Sequence, residues 1–373
     1  MAIPGGPSDA SLSELHATAL ERAAVPLDFF DAHTHLGHND PDGYTATPEQ
    51  IVAGLDSAGQ RRGLIFPMQE PDGYPGPNDA AIAAARDSGG RLEALARIDP
   101  NLGDGALAEA ERCLAAGAKG FKLHPRSDAF DMPHPVVERV IALAQEHRAP
   151  VLFHAGRGFP GLGEEVANMA RRHPDARIIL AHAGISDLGH LGAVVAEAPN
   201  IFFDTSWWLV GDMLTLFGTV PPGRILYASD MPYGSARYSV IRDLRCAAQL
   251  GLEGEVLQSI AGQQLERILA GEDPLDLGPA PGFSRLGERD LVAERGIAYL
   301  ATACTAMFRG YDPAEPLSLA RLATSPSQRP EVVQADALIA QAQELVAAHP
   351  DDPRQAVYPA MAAQLVLGTP AAS

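Results

Sequence analysis

FFDAHTHLGHND, residues 29–40, ends a largely apolar run that begins at Val25. Alternation along a strand sets Asp31, His33 and His35 on one side, so two imidazoles converge on one point. Neutral imidazole is a borderline-soft nitrogen donor suited to zinc and other first-row divalent ions, and two of them at the end of a buried strand make half of a metal site. A pair of polar residues in a turn is the competing reading, and the rest of the chain argues against it.

Outward from this stretch, a short apolar run followed by a helix recurs. Further strands are expected at 63–66, 91–98, 119–123, 150–153, 176–181, 200–203 and 224–228, the last five running into His124, His154, His182, Asp204 and Asp230. Thr47 and Pro48 open a helix to about Ala58, Asn78 caps an alanine-rich helix up to Ser88, and helical spacing returns at 105–116, 135–147, 164–172, 188–196, 209–217 and 237–249. Residues 68–79 are too rich in Pro and Gly for regular structure and read as a lid. Strands that are continuously apolar belong to a parallel sheet buried on both faces, and eight strand-helix units close into a barrel. A doubly wound open sheet would need a glycine-rich phosphate fingerprint after the first strand, and none is present.

The expected architecture is α/β: a (β/α)8 TIM barrel over residues 27–270, ending in a helix at 255–269. An N-terminal extension of residues 1–26 holds a short helix, Ser11–Ala23, and 271–282 is a linker by composition. Residues 283–373 form a C-terminal α-helical extension, with helices near 288–308, 332–348 and 354–367 and a packing or oligomerisation role.

A chain of 373 residues fits one barrel with such an addition, and 46% hydrophobic with 20% charged residues places it among globular proteins with a large core. No run approaches the roughly 18 apolar residues that span a bilayer, and the N-terminus lacks the basic and apolar regions of a secretory signal, so a cytoplasmic location is expected. The formal charge of −19 repels phosphate backbones and anionic lipid, which argues against nucleic-acid or membrane partners. Cys113, Cys246 and Cys304 are far apart, odd in number and free of CxxC spacing, which argues against a thiolate metal site and a disulfide framework. Of the 28 basic residues only Lys119 and Lys122 are lysines, which suggests a task an arginine cannot do, such as taking up carbon dioxide as a carbamate.

The polar residues at strand ends carry the chemistry. In a barrel, His33, His35, Lys122, His124, His154, His182 and Asp230 all fall on the face where such folds place their sites. One strand-end histidine is usually structural, but several imidazoles buried together with an aspartate are costly without a partner such as a metal ion.

The motifs DAHTH at 31–35, GFKLHP at 120–125, LFHAG at 152–156, LAHAG at 180–184 and YASDMPYG at 227–234 together resemble the amidohydrolase superfamily, in its amidohydrolase-2 branch of metal-dependent hydrolases and decarboxylases. The resemblance spans about residues 27–270. It implies that His33, His35, His154 and Asp230 ligate one divalent ion, zinc first, with manganese or another first-row ion as the alternative. It also implies that His182 polarises a carbonyl or orients a water. A two-ion site would be bridged by carboxylated Lys122, with His154 and His182 on the second ion. The ion lowers the pKa of its water toward about 7, and Asp230 acts as general base.

Substrate contacts must come from the loops that follow the strands. Arg126 and Arg157 suit a carboxylate, and Trp207, Trp208, Tyr44, Tyr74 and Tyr233 suit an apolar wall. The expected function is hydrolysis of an amide, lactam or lactone bond in a small anionic molecule. The alternatives are decarboxylation of an unsaturated or aromatic acid and a catalytically silent binding barrel; homo-oligomerisation is open.

Overall fold

The computed structural model describes residues 12–157, 161–288, 290–325 and 327–370; Ser11, the expected start of the N-terminal helix, lies outside them. The strands are β1 Phe30–Leu36, β2 Arg62–Pro67, β3 Leu92–Ala94, β4 Ala96–Arg97, β5 Phe121–Leu123, β6 Pro150–Phe153, β7 Arg177–Leu180, β8 Ile201–Asp204 and β9 Ile225–Leu226. Every strand pairing is parallel. β3 and β4 are two halves of one stave, linked at Leu95, whose N–H donates to Ile65 O at 2.9 Å. Nine segments therefore make eight staves. The ring closes where Ala32 N donates to Tyr227 O at 2.9 Å, Asp230 N to His33 O at 2.9 Å and His35 N to Met231 O at 2.7 Å. The fold is the expected TIM barrel.

Alternation along the staves separates two apolar layers. Phe30, Ala32, Leu64, Phe66, Leu152, Ile179, Phe202 and Leu226 fill the interior, and Leu265 and Ile268 of the helix Gln264–Leu269 join them. Val151, Phe153, Ile178, Leu180, Ile201 and Phe203 point outward and pack beneath the helices. Both faces of the sheet are thus dry, which is why the strands read as unbroken apolar runs.

Two local expectations are corrected. The Pro- and Gly-rich stretch 68–79 is not irregular throughout: a helix, Pro75–Asp87, begins inside it with proline in its first turn. Asn78 does not cap that helix; its Oδ1 accepts from Arg97 N at 2.8 Å and its Nδ2 donates to Arg97 O at 3.1 Å, stitching the helix to β4.

After an irregular stretch, the described residues of the C-terminal segment hold four α-helices, Leu291–Phe308, Ala314–Thr324, Pro330–Ala348 and Val357–Gly368. The second was not anticipated, because the stretch between the expected helices reads as proline-rich turns; Pro316 sits in the first turn of this helix, where a missing N–H costs nothing. Val357–Gly368 is buried along its whole length. It packs on Val210 of the barrel helix Val210–Thr219, and Arg245 Nε donates to Thr369 Oγ1 at 2.8 Å. No helix among the described residues is long and apolar enough to cross a membrane.

Candidate metal centre

β1 delivers both histidines to one point: His33 Nε2 and His35 Nε2 are 3.0 Å apart. Asp230, just beyond β9, brings Oδ1 to 3.3 Å from each of them. This trio forms the compact cluster of possible ligands among the described residues. Asp204 at the end of β8 accepts from His33 Nδ1 through Oδ2 at 2.7 Å. A proton on Nδ1 leaves the Nε2 lone pair free, the tautomer a metal needs. Asp204 Oδ1 accepts from the N–H groups of His182 at 2.9 Å and Ser206 at 3.0 Å, so the carboxylate is held from both sides.

His154 and His182 form a second pair. His182 Nδ1 donates to Ser206 O at 2.8 Å, which makes its Nε2 an acceptor, and that nitrogen lies 3.0 Å from His154 Nδ1. The same logic places a proton on His154 Nδ1 and leaves Nε2 as a lone pair. Among the described residues, His154 Nε2 is buried without a hydrogen-bond partner, as are Asp230 Oδ1, His35 Nδ1 and Lys122 Nζ. Buried polar atoms that go unpaired call for an explanation, and a divalent cation would provide one for the lone pairs and the carboxylate. The donor set, imidazole nitrogens with one carboxylate, fits such an ion. His124 stacks on His154, with ring centroids 3.9 Å apart and planes within 11°.

The electrostatics favour the metal-binding protonation states. Burial pushes His33 down to about 3, aided by the Lys122 charge, and pushes His35, His154 and His182 down as well. All four are therefore neutral at pH 7 and can offer lone pairs. Burial lifts the Asp230 carboxyl well above the carboxylate range, against the pull of Lys122, and lowers the Lys122 amine to about 7. Asp204 moves the other way: burial pushes it up, but its interactions with His33, His182 and Ser206 together outweigh burial and hold it below its ordinary value.

Backbone strain coincides with chemistry. His182 and Asp230 hold φ of 56° and 63°, a left-handed conformation that costs a non-glycine residue on the order of 1–3 kcal/mol and persists only where the surroundings enforce it.

A cavity of about 710 Å³ opens above the cluster. Arg126, Arg157, Trp207, Trp208, Tyr44 and Tyr233 all line it. The Arg157 guanidinium sits 5.0 Å over the Trp207 ring, and Trp207 Nε1 donates to Asp212 Oδ2 at 2.7 Å. Tyr74 is not among the lining residues: its hydroxyl donates to Asp128 at 2.5 Å beneath the Arg97 guanidinium, where it packs rather than recognises. Lys122 Nζ lies 4.7 Å over the Phe66 ring. Five residues at or above the cluster escaped the sequence reading. Asp204 shares the strand-end placement of its neighbours, and that placement was the available signal. Phe308, Arg354, Tyr358 and Met361 of the C-terminal segment also line the cavity, so the segment is more than a packing appendage. No spacing in the sequence marked them.

Residues 30–263 match the family model described as Amidohydrolase. No curated protein sequence matches the chain. Among solved structures, an uncharacterized TIM-barrel protein from Bordetella bronchiseptica is similar at a TM-score of 0.54 and 15% identity, over 66% of this chain and 99% of that one. 2,6-Dihydroxybenzoate decarboxylase from Rhizobium is similar at 0.54 and 13%, with the same coverage. 5-Carboxyvanillate decarboxylase from Sphingomonas paucimobilis follows at 0.51 and 15%, over 66% of this chain and 99% of that one. Identities this low carry the fold and nothing more.

Proposed function

Because the chain belongs to the amidohydrolase family, we propose that it is a metal-dependent hydrolase that cleaves an amide, lactam or lactone bond of a small carboxylated substrate. One observation carries the reading: Asp230 presents a buried, unpaired Oδ1 3.3 Å from each of two neutral imidazole nitrogens. His33, His35 and Asp230 would hold one divalent ion, zinc first, with His154 Nε2 as a further donor. When bound, such an ion polarises a carbonyl and lowers the pKa of a water toward about 7.

The remaining work belongs to the side chains. Asp230, whose carboxylate stands beside the two imidazole nitrogens, accepts a proton from the attacking water at one oxygen and later returns it to the leaving group. His182 has both ring nitrogens engaged, and its role here is to fix the tautomer of His154 rather than to donate to a carbonyl. That engagement also argues for one ion over a pair bridged by carboxylated Lys122, since the second ion would need His182. Arg126 and Arg157 at the rim pair with the substrate carboxylate.

A second reading, decarboxylation of an unsaturated or aromatic acid, is supported by the Trp207 face with the Arg157 guanidinium over it, a wall that suits a planar carboxylate. The deciding experiment couples elemental analysis of purified protein to a screen of carboxylated lactones, lactams, amides and aromatic acids. Ring opening or amide cleavage supports hydrolysis; carbon dioxide release from the acids alone replaces it with the second reading. Metal-loaded protein inert toward every class would leave a binding barrel.

A further inference from the structure

Two rows of rings climb from the histidine cluster and both end on the C-terminal segment. On one wall His35 meets Tyr233 with centroids 5.0 Å apart, Tyr233 meets Tyr44 at 4.8 Å, and the Tyr44 hydroxyl is hydrogen-bonded to Arg354. On the other, His182 meets Trp207 at 6.5 Å, Trp207 meets Trp208 at 6.0 Å, and Trp208 meets Phe308 at 5.5 Å. Arg354 and Phe308 both lie beyond residue 263, where the family match stops. The barrel therefore supplies the floor and the C-terminal helices supply the far wall.

That wall has a definite chemistry. Phe308 continues the indole surface, and Arg354 is the cation that the described residues of the C-terminal segment set into the cavity lining; between floor and wall the cavity, about 710 Å³, has room for more than a single-ring acid. We propose that Arg354 and Phe308 are specificity-determining residues that select a substrate with a flat apolar body and a second anionic group at the end remote from the histidine cluster. This rests on the reading of an anionic substrate given above and extends it. Arg126 and Arg157 hold the near carboxylate, the tryptophans and Phe308 flank the body, and Arg354 meets the far anion in a charge-assisted pair.

The chain's two tryptophans both line the cavity, so intrinsic fluorescence excited at 295 nm reports directly on its occupancy. The probes are benzoate and cinnamate against terephthalate and 4-carboxycinnamate, titrated into metal-loaded full-length protein. The diacids are expected to bind at least about tenfold more tightly than the monoacids, and Arg354→Gln to erase that preference while leaving monoacid affinity within about twofold. Arg354→Lys should restore part of it. Tyr44→Phe, which removes the hydrogen bond and leaves the guanidinium, should keep it, separating recognition of the anion from support of the wall. Phe308→Ala should weaken all four probes alike. Equal losses for mono- and diacids in Arg354→Gln, or no diacid preference in the parent protein, would overturn the proposal. A parent protein that opens lactones or cleaves amides while showing no diacid preference would sink this inference and leave the hydrolase reading standing; a clear diacid preference in a protein inert toward lactones, lactams and amides would do the opposite.

Discussion

Asp204 Oδ2 and His33 Nδ1 lie 2.7 Å apart, so a carboxylate at the end of β8 decides which nitrogen of a β1 imidazole faces the cluster. The carboxylate accepts on both oxygens at once, from His33 on one side and from His182 N and Ser206 N on the other. Asparagine has one accepting oxygen and must turn its amide toward a donor. Asp204→Asn is therefore expected to weaken metal affinity by roughly 10–100-fold, read by competition with a chromogenic chelator. Unchanged affinity would show that the His33 tautomer is held by something else.

Replacing His33 and His35 together with alanine should drop bound metal to background while the far-ultraviolet circular dichroism stays that of the parent. The seam bonds in which these residues take part use His33 O and His35 N, which alanine also possesses. Retained metal, measured by elemental analysis, would place the ion elsewhere.

Gly156 is a tight spot beside the second imidazole pair. A Cβ there would sit 3.0 Å from His154 Nε2 and 3.2 Å from His182 Cδ2, closer than most real contacts. Gly156→Ala must shift both rings by a few tenths of an ångström, and such misplacement is expected to cost turnover roughly tenfold or more. The melting temperature should hardly move, because the displaced atoms border the open cavity. A large fall in melting temperature with normal turnover would contradict this.

The barrel was legible because its staves are apolar on both faces and end in polar residues, a signature carried within a few consecutive positions. His33, His35 and Asp230 were legible for the same reason. His154 and His182 were recognisable as site residues, yet the contact of His182 Nε2 with His154 Nδ1, and the bond from His182 Nδ1 to Ser206 O that sets its tautomer, depend on the left-handed turn at His182 and Ala183, which no local pattern encodes. Arg354 and Phe308 were out of reach: their presence in the cavity depends on how Val357–Gly368 docks against Val210, a contact between positions far apart in the chain. The helix Ala314–Thr324 was hidden in a proline-rich stretch, because spacing alone does not show that Pro316 falls in a first turn, where proline is tolerated.

The three cysteines are all buried and free, and burial pushes the Cys113 and Cys246 thiols up to about 12, with Cys304 raised as well. The thiolate is the reactive form, so the native protein should release no colour from Ellman's reagent at pH 7.5, and the unfolded chain should titrate three thiols. Fast reaction of any thiol in the native state would mean that its surroundings open.

Glu138 joins two barrel helices to one another. Its hydrogen bonds from Arg172, aided by His173, hold its carboxyl down to about 2 from the ordinary 4.5. A depressed acid stabilises the fold fully above its unfolded-state value and loses that contribution as pH falls from about 4.5 through about 2. With 35% of the Glu138 side chain exposed, screening keeps the contribution below about 1 kcal/mol. Glu138→Gln should cost that much in urea denaturation at pH 7 and less at pH 3. An equal difference at both values would show that charge is not its source.

The barrel seam has a consequence for biosynthesis. The bonds that close the ring join His33 and His35 to Asp230 and Met231, and Ser229 N also donates to Asp31 Oδ1 across 198 positions of sequence. Ligand donors and closing stave thus meet in one event, late in synthesis, after the last strand has cleared the ribosome. A chain whose ring is not yet closed carries two histidines without their aspartate, so the full donor set exists only once the last stave is in place.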